Sequence, residues 1–131
     1  MKDSTRKRIL IVEDNATYRK MLKMRLESMG YETFTAQDGL EGLDVARKEK
    51  PDLVILDLML PGMDGHKVCR LLKFDRNFRH IPVVVLTSRD LEEDAELVKQ
   101  SRGDAFIVKT TRAAIIMDVI KRLLERGRAS G

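Results

Sequence analysis

Apolar positions along this chain follow two rhythms. Short unbroken apolar runs alternate with longer stretches in which apolar residues return every three or four positions. The runs Ile9-Leu10-Ile11-Val12, Leu53-Val54-Ile55-Leu56, Val83-Val84-Val85-Leu86 and Ala105-Phe106-Ile107-Val108 predict strands over 8–12, 52–57, 81–86 and 105–108. Residues 31–35 predict a weaker one. The run from Leu53 to Leu56 has no polar position, which suits a strand covered on both faces, as in a parallel sheet. Pro82 is tolerated near the start of a strand.

The periodic stretches predict helices between the strands. Asn15 is placed to cap one that reaches Met29 and stops at Gly30. A second covers 38–48, and Pro51 ends its connection. Asp64 is placed to cap a third reaching Phe74, after a loop marked by Pro61, Gly62 and Gly65. A fourth covers 91–101, opened by Asp90 and closed near Gly103. The last covers 112–126, with Ile115, Ile116, Val119, Ile120, Leu123 and Leu124 along one face. Five strands each followed by a helix predict an open parallel sheet with helices on both faces. Residues 7–126 are expected to form one domain, with 1–6 and 127–131 as loose ends.

Polar residues gather just after the apolar runs: Glu13 and Asp14, Asp57, Thr87 and Lys109. In an open α/β sheet the carboxyl ends of the strands share one edge, and ligands bind there. Taken singly, each residue has a plain reading. An Asp after a strand serves as a turn or cap residue, Thr87 as a capping hydroxyl, and Lys109 as a solvated lysine. Glu13-Asp14 alone would favour the dipole of the following helix. Their joint occurrence at the ends of four different strands points to a site. Three carboxylates brought together repel one another unless a cation joins them. Oxygen ligands with few protein contributors suit Mg²⁺. Lys109 adds a fixed positive charge and Thr87 a hydroxyl donor, so the set can hold a phosphoryl group. Asp57, on the most apolar strand, is then the natural nucleophile for aspartyl-phosphate chemistry.

Composition narrows the picture without changing it. The 131 residues fit one domain, and 43% hydrophobic with 35% charged residues describe a soluble globular chain. The net charge of +4 is concentrated at Lys2, Arg6, Lys7 and Arg8 and at Arg122, Arg126 and Arg128. No aromatic residues interleave these cations, so solvated termini are expected and a direct nucleic-acid partner is not. Cys69 is the single cysteine, which excludes an internal disulfide and reads as a packing residue in a helix. The start has no apolar signal region, and no apolar run approaches the roughly 18 residues of a membrane span. A cytoplasmic location without membrane attachment is expected.

With these residues in view, the chain resembles the receiver domains of two-component response regulators. The resemblance covers about residues 7–126. It rests on Ile9-Leu10-Ile11-Val12-Glu13-Asp14-Asn15, on Asp57-Leu58-Met59-Leu60-Pro61-Gly62-Met63-Asp64-Gly65, on Val85-Leu86-Thr87-Ser88 and on Phe106-Ile107-Val108-Lys109. It implies a flavodoxin-like (βα)5 three-layer α/β sandwich with strand order 2-1-3-4-5. It implies phosphoryl transfer onto Asp57 from a sensor histidine kinase or histidine phosphotransfer protein. By the same resemblance Asp14, Asp57 and the backbone carbonyl of Met59 bind Mg²⁺, Glu13 helps through water, and Lys109 pairs with the phosphoryl group. Thr87 and Phe106 match the switch pair that reshapes the face of the fourth helix, fifth strand and fifth helix for an output protein. Lys99, Arg102, Arg112 and Lys121 fall on or near that face, through which weak homodimers also form in this family. Such a domain is a signalling switch rather than an enzyme, and either stands alone or is cut from a longer regulator.

One position departs from the family pattern. Proline usually follows the lysine, in a cis bond, whereas here the residue is Thr110. A cis bond before a non-proline costs about 3–4 kcal/mol, so Lys109–Thr110 is expected to be trans, with the following loop rearranged. Two other functions stay open on sequence grounds. One is an interaction module that keeps the fold without the switch. The other is a hydrolase that forms an aspartyl phosphate, although the second acid such enzymes usually carry two residues on is here Met59.

Overall fold

Each apolar run becomes a strand and each periodic stretch a helix. The computed structural model describes residues 6–89 and 92–129, the last three as backbone only. The elements are β1 (Arg8–Val12), α1 (Ala16–Ser28), β2 (Glu32–Ala36), α2 (Gly39–Glu49), β3 (Leu53–Asp57), α3 (Gly65–Lys73), β4 (Val83–Thr87), α4 (Glu92–Gln100), β5 (Ala105–Val108) and α5 (Ala113–Ala129). All strand pairs are parallel, in the order β2-β1-β3-β4-β5. This is the flavodoxin-like arrangement the motifs implied.

The period-two alternation of strands explains the core. Leu10, Val12, Val54, Leu56, Val83 and Val85 point to one face and pack against Leu43 and Ala46 of α2 and Val68 and Leu72 of α3. Ile9, Ile11, Leu53, Ile55, Val84 and Leu86 point to the other and meet Leu22 and Leu26 of α1 and Ile116, Ile120 and Leu123 of α5. The central strands β3 and β4 are buried along their whole length. Cys69 is buried within α3, and burial pushes its thiol up to about 12, as a packing residue requires. No helix among the described residues is long and apolar enough to cross a membrane.

Several boundaries shift for local reasons. The Asn15 side chain caps α1 by accepting the Tyr18 N–H at 2.8 Å, and Asp38 caps α2 through Glu41 N–H at 2.9 Å. Asp64 occupies the cap position of α3 but its side chain makes no capping hydrogen bond. The Gly65 N–H goes instead to the Leu58 carbonyl at 2.8 Å, which closes the loop on itself. Strand β4 begins at Val83 rather than residue 81, because Pro82 has no N–H; its carbonyl still accepts from Val54 N. Helix α5 continues through Ala129, beyond the expected stop at 126, so Gly127 does not break it. The expected start of the fourth helix at Asp90 and Leu91, and the first five and last two residues, lie outside the described residues. No cis peptide bond occurs among the described residues, so Lys109–Thr110 is trans, as expected.

One glycine is demanded by close approach. A Cβ on Gly65 would stand 2.2 Å from the Asp57 carbonyl oxygen and 2.6 Å from the Leu58 Cα. Both are backbone atoms of the turn that carries Asp57, and backbone cannot step aside cheaply. Gly65→Ala is therefore expected to destabilise the fold by about 1–3 kcal/mol, the usual range for overpacking. Urea denaturation measures this; a midpoint equal to wild type would contradict it.

Candidate functional site

The parallel sheet delivers five polar side chains from four sequence-distant segments to its carboxyl edge. At the end of β1, the Glu13 N–H bonds the Ala36 carbonyl at 3.0 Å, which extends the strand and buries Glu13 to 1% exposure. Asp14 follows it into solvent. The Asn15 N–H donates to Glu13 Oε2 at 3.1 Å. Arg19, one turn into α1, donates to the Glu13 carbonyl at 2.7 Å and the Asp14 carbonyl at 3.4 Å. The acidic pair is thus anchored through both backbone and side chain.

Asp57 ends β3 and is 4% exposed. Its Oδ1 accepts the Met59 N–H at 3.1 Å. Its Oδ2 lies 3.4 Å from Lys109 Nζ. Lys109, one residue past β5, donates its backbone N–H to the Thr87 carbonyl at 2.6 Å. Its ammonium also meets Glu13 Oε1 at 2.5 Å and stands 4.8 Å from the centroid of the Tyr18 ring. Glu13 Oε1 is buried and makes no hydrogen bond of regular geometry, so this ammonium is what balances it. Thr87 closes β4 with its side chain fully buried and its Oγ1 accepting the Arg89 N–H at 3.3 Å. Leu58 N–H bonds the Leu86 carbonyl at 2.8 Å, which places the Asp57 turn against Thr87. Phe106 lies on the sheet face rather than at the rim, half-buried against the α2–α3 core. The Met59 side chain is half exposed.

The electrostatics follow from burial. Glu13, Asp14 and Asp57 each offer a carboxylate oxygen, and these oxygens lie within 4.8 Å of one another. Burial, then the Glu13 charge, pushes the Asp57 carboxyl from 3.8 up to about 7; the Met59 N–H and Lys109 oppose this without cancelling it. Burial, then Glu13 and Asp57, pushes the Tyr18 phenol up to about 12. Three carboxylates against one ammonium leave excess negative charge, which a proton or a hard cation relieves. The donor set, all oxygen with one solvent-facing carboxylate, fits a divalent cation that keeps part of its water. A separate groove of about 630 Å³ runs alongside, between the start of α2 and residues 61–63, and none of the five residues lines it.

The sequence singled out all five rim residues, and the fold brings them together. It missed Tyr18 and Arg19. The available signal was helical spacing: Tyr18 falls four residues after Asp14, one turn along the helix that Asn15 caps.

Residues 9–121 match the family model for the response regulator receiver domain. The chain belongs to that family, whose members are signalling domains of two-component systems. The polar-differentiation response regulator DivK of Brucella anthropi is 38% identical over 118 residues, covering 90% of this chain and 96% of DivK. A CheY-like receiver domain protein from Methanospirillum hungatei superposes with a TM-score of 0.91 at 28% identity, covering 97% of this chain and 100% of its own. The receiver domain of a sensor histidine kinase from Pseudomonas aeruginosa PAO1 superposes with a TM-score of 0.84 at 26% identity, covering 92% and 99%. That structure holds a magnesium ion coordinated in its active-site cleft.

The displaced Asp57 titration has a consequence for stability. The unfolded chain releases this proton near 3.8 and the folded chain near 7. Between those values the folded state binds more protons, so this contribution to stability is lost as pH rises through the window. Without divalent cations, wild type is expected to lose about 2–4 kcal/mol relative to Asp57→Asn between about pH 4 and pH 8. Urea unfolding across that range tests it, and parallel profiles for the two proteins would contradict it.

Proposed function

We propose that this domain is a phosphorylation-operated switch in which Asp57 accepts a phosphoryl group from a phosphohistidine on a sensor kinase or phosphotransfer protein. The observation that carries this reading is the setting of Asp57: a buried carboxylate held between the Met59 N–H and the Lys109 ammonium, beside two further carboxylates. Asp14, Asp57 and the Met59 carbonyl are the groups that would hold Mg²⁺, with Glu13 assisting through water. When bound, the ion supplies positive charge that keeps Asp57 ionised and offsets charge on the phosphoryl oxygens.

The chain's own groups then do the following. An Asp57 carboxylate oxygen attacks phosphorus. The new O–P bond forms as the P–N bond to imidazole breaks, and the electron pair leaves with the imidazole. Lys109 turns its ammonium from Glu13 toward a phosphoryl oxygen and stabilises charge there. The Thr87 hydroxyl leaves the Arg89 N–H for another phosphoryl oxygen. The space it vacates lets the Phe106 ring turn inward, and the face of α4, β5 and α5 repacks for an output protein. Phe106 has no hydroxyl, so its outward position has no hydrogen bond to hold it. The domain, residues 7–126, acts in the cytoplasm as a signalling unit that assists its own modification rather than as an enzyme on a separate substrate.

Incubation with acetyl phosphate and Mg²⁺ tests the reading. Wild type is expected to acquire one hydroxylamine-sensitive phosphate, and Asp57→Asn none. Lys109→Ala is expected to be about 100-fold slower, the scale on which removing one preorganised charge partner acts. Chelation of the metal is expected to stop the reaction. Phosphate on a residue other than Asp57, or uptake indifferent to chelator, would remove the proposal.

A further inference from the structure

We infer that Tyr18 is a positioning residue for Lys109, its ring holding the ammonium over the Glu13–Asp57 pair through a cation–π contact. The inference rests on the reading of Lys109 as the cation that meets the phosphoryl group. Lys109 Nζ stands 4.8 Å from the ring centroid, inside the roughly 6 Å over which an aromatic face attracts an ammonium. The Lys109 side chain is only 16% exposed, and removal from water strengthens such contacts.

The ammonium's other partners are Glu13 Oε1 and Asp57 Oδ2. Both belong to the acidic group that a divalent cation would engage, and Asp57 is itself the group modified. The ring has no charge to lose and is not the oxygen ligand that a hard divalent ion takes. Among the described partners of Lys109 it is the one that neither metal binding nor phosphorylation would engage. One short segment fixes the arrangement. Asn15 receives the Tyr18 N–H on its side chain and gives its own N–H to Glu13 Oε2. The carboxylate and the ring are thereby set from the same turn. Tyr18 also packs against the α1–α5 core, which limits its swing. Its hydroxyl is buried and makes no hydrogen bond among the described residues, so the ring face, not the O–H, makes the contact with Lys109.

Wild type, Tyr18→Phe and Tyr18→Leu are to be compared as the full chain in two measurements. The first is the rate of phosphorylation by acetyl phosphate with Mg²⁺. The second is the NMR shift of the Lys109 ε-methylene protons without metal, which reports the ring directly. Tyr18→Phe is expected to keep the wild-type rate and the ring-shifted signals. Tyr18→Leu is expected to lose the shift and react about fivefold more slowly, the factor given by a cation–π contact of about 1 kcal/mol. Should Tyr18→Leu fail to fold, fluorinated phenylalanines at position 18 keep the shape while weakening the ring's negative face. Stepwise slowing across that series supports the inference. A flat series, a Tyr18→Leu rate equal to wild type, or a Tyr18→Phe as slow as Tyr18→Leu would overturn it. Absence of phosphate on wild type would overturn the reading beneath, which the wild-type control distinguishes.

Discussion

Among the described residues, three carboxylates and one ammonium crowd the carboxyl edge of the sheet, and two of the carboxylates are almost wholly out of water. Isolated buried charge is expensive, and one ammonium cannot serve three anions. A proton on Asp57 or a cation among these oxygens would relieve the shortage of positive charge. Burial, and then the Glu13 charge, raise the Asp57 carboxyl accordingly. A site balanced in this way stores unfavourable electrostatics at its centre, and a ligand of the right charge releases them. The rest of the structure serves to keep that cluster from relaxing apart.

Rigidity comes from apolar strands below and from anchored turns above. β3 and β4 contribute no exposed residue, so their ends cannot drift without opening the core on both faces. Above them, the Leu58 N–H to Leu86 bond and the Lys109 N–H to Thr87 bond tie loops to the neighbouring strand β4, and the Gly65 N–H to Leu58 bond closes the loop after β3 on itself. Arg19 does the same for the β1–α1 turn from the helix side. At the opposite edge, the Lys73 ammonium bridges the Ile81 carbonyl and the Asp104 carboxylate, while Asp104 also accepts the Val83 N–H. That network ties together the starts of the paired strands β4 and β5.

The fold was readable in the sequence because its strands are apolar throughout and its helices are periodic, and few alternative patterns share that rhythm. Sheet order followed from the motif resemblance rather than from periodicity, since strand pairing leaves no local mark. The rim residues were legible because polar side chains directly after apolar runs are conspicuous. Tyr18 and Arg19 were not, because an aromatic and an arginine inside an amphipathic helix look like ordinary core and surface positions. Only the path of the chain out of β1 turns them toward the site. The missed helix extension at α5 has the same root: a glycine costs a helix about 1 kcal/mol, which the continuous apolar face before it can offset.

Thr110 frames the remaining question of how Lys109 is held. Where proline follows the lysine, its ring restricts the backbone on the far side; here that restriction is absent and the bond is trans. The Lys109 backbone is nevertheless fixed by its hydrogen bond to Thr87, a residue whose own side chain is buried. The long side chain beyond it still has four rotatable bonds, and an ammonium on such a stem costs entropy to hold in place. Two carboxylates attract it, but they attract a divalent cation at least as strongly. A hard divalent ion keeps its water and takes oxygen ligands, whereas an ammonium sits readily on an aromatic face, so the ring favours the ammonium. In a site where several cations have access to the same anions, an uncharged partner for one of them keeps the charges in separate places.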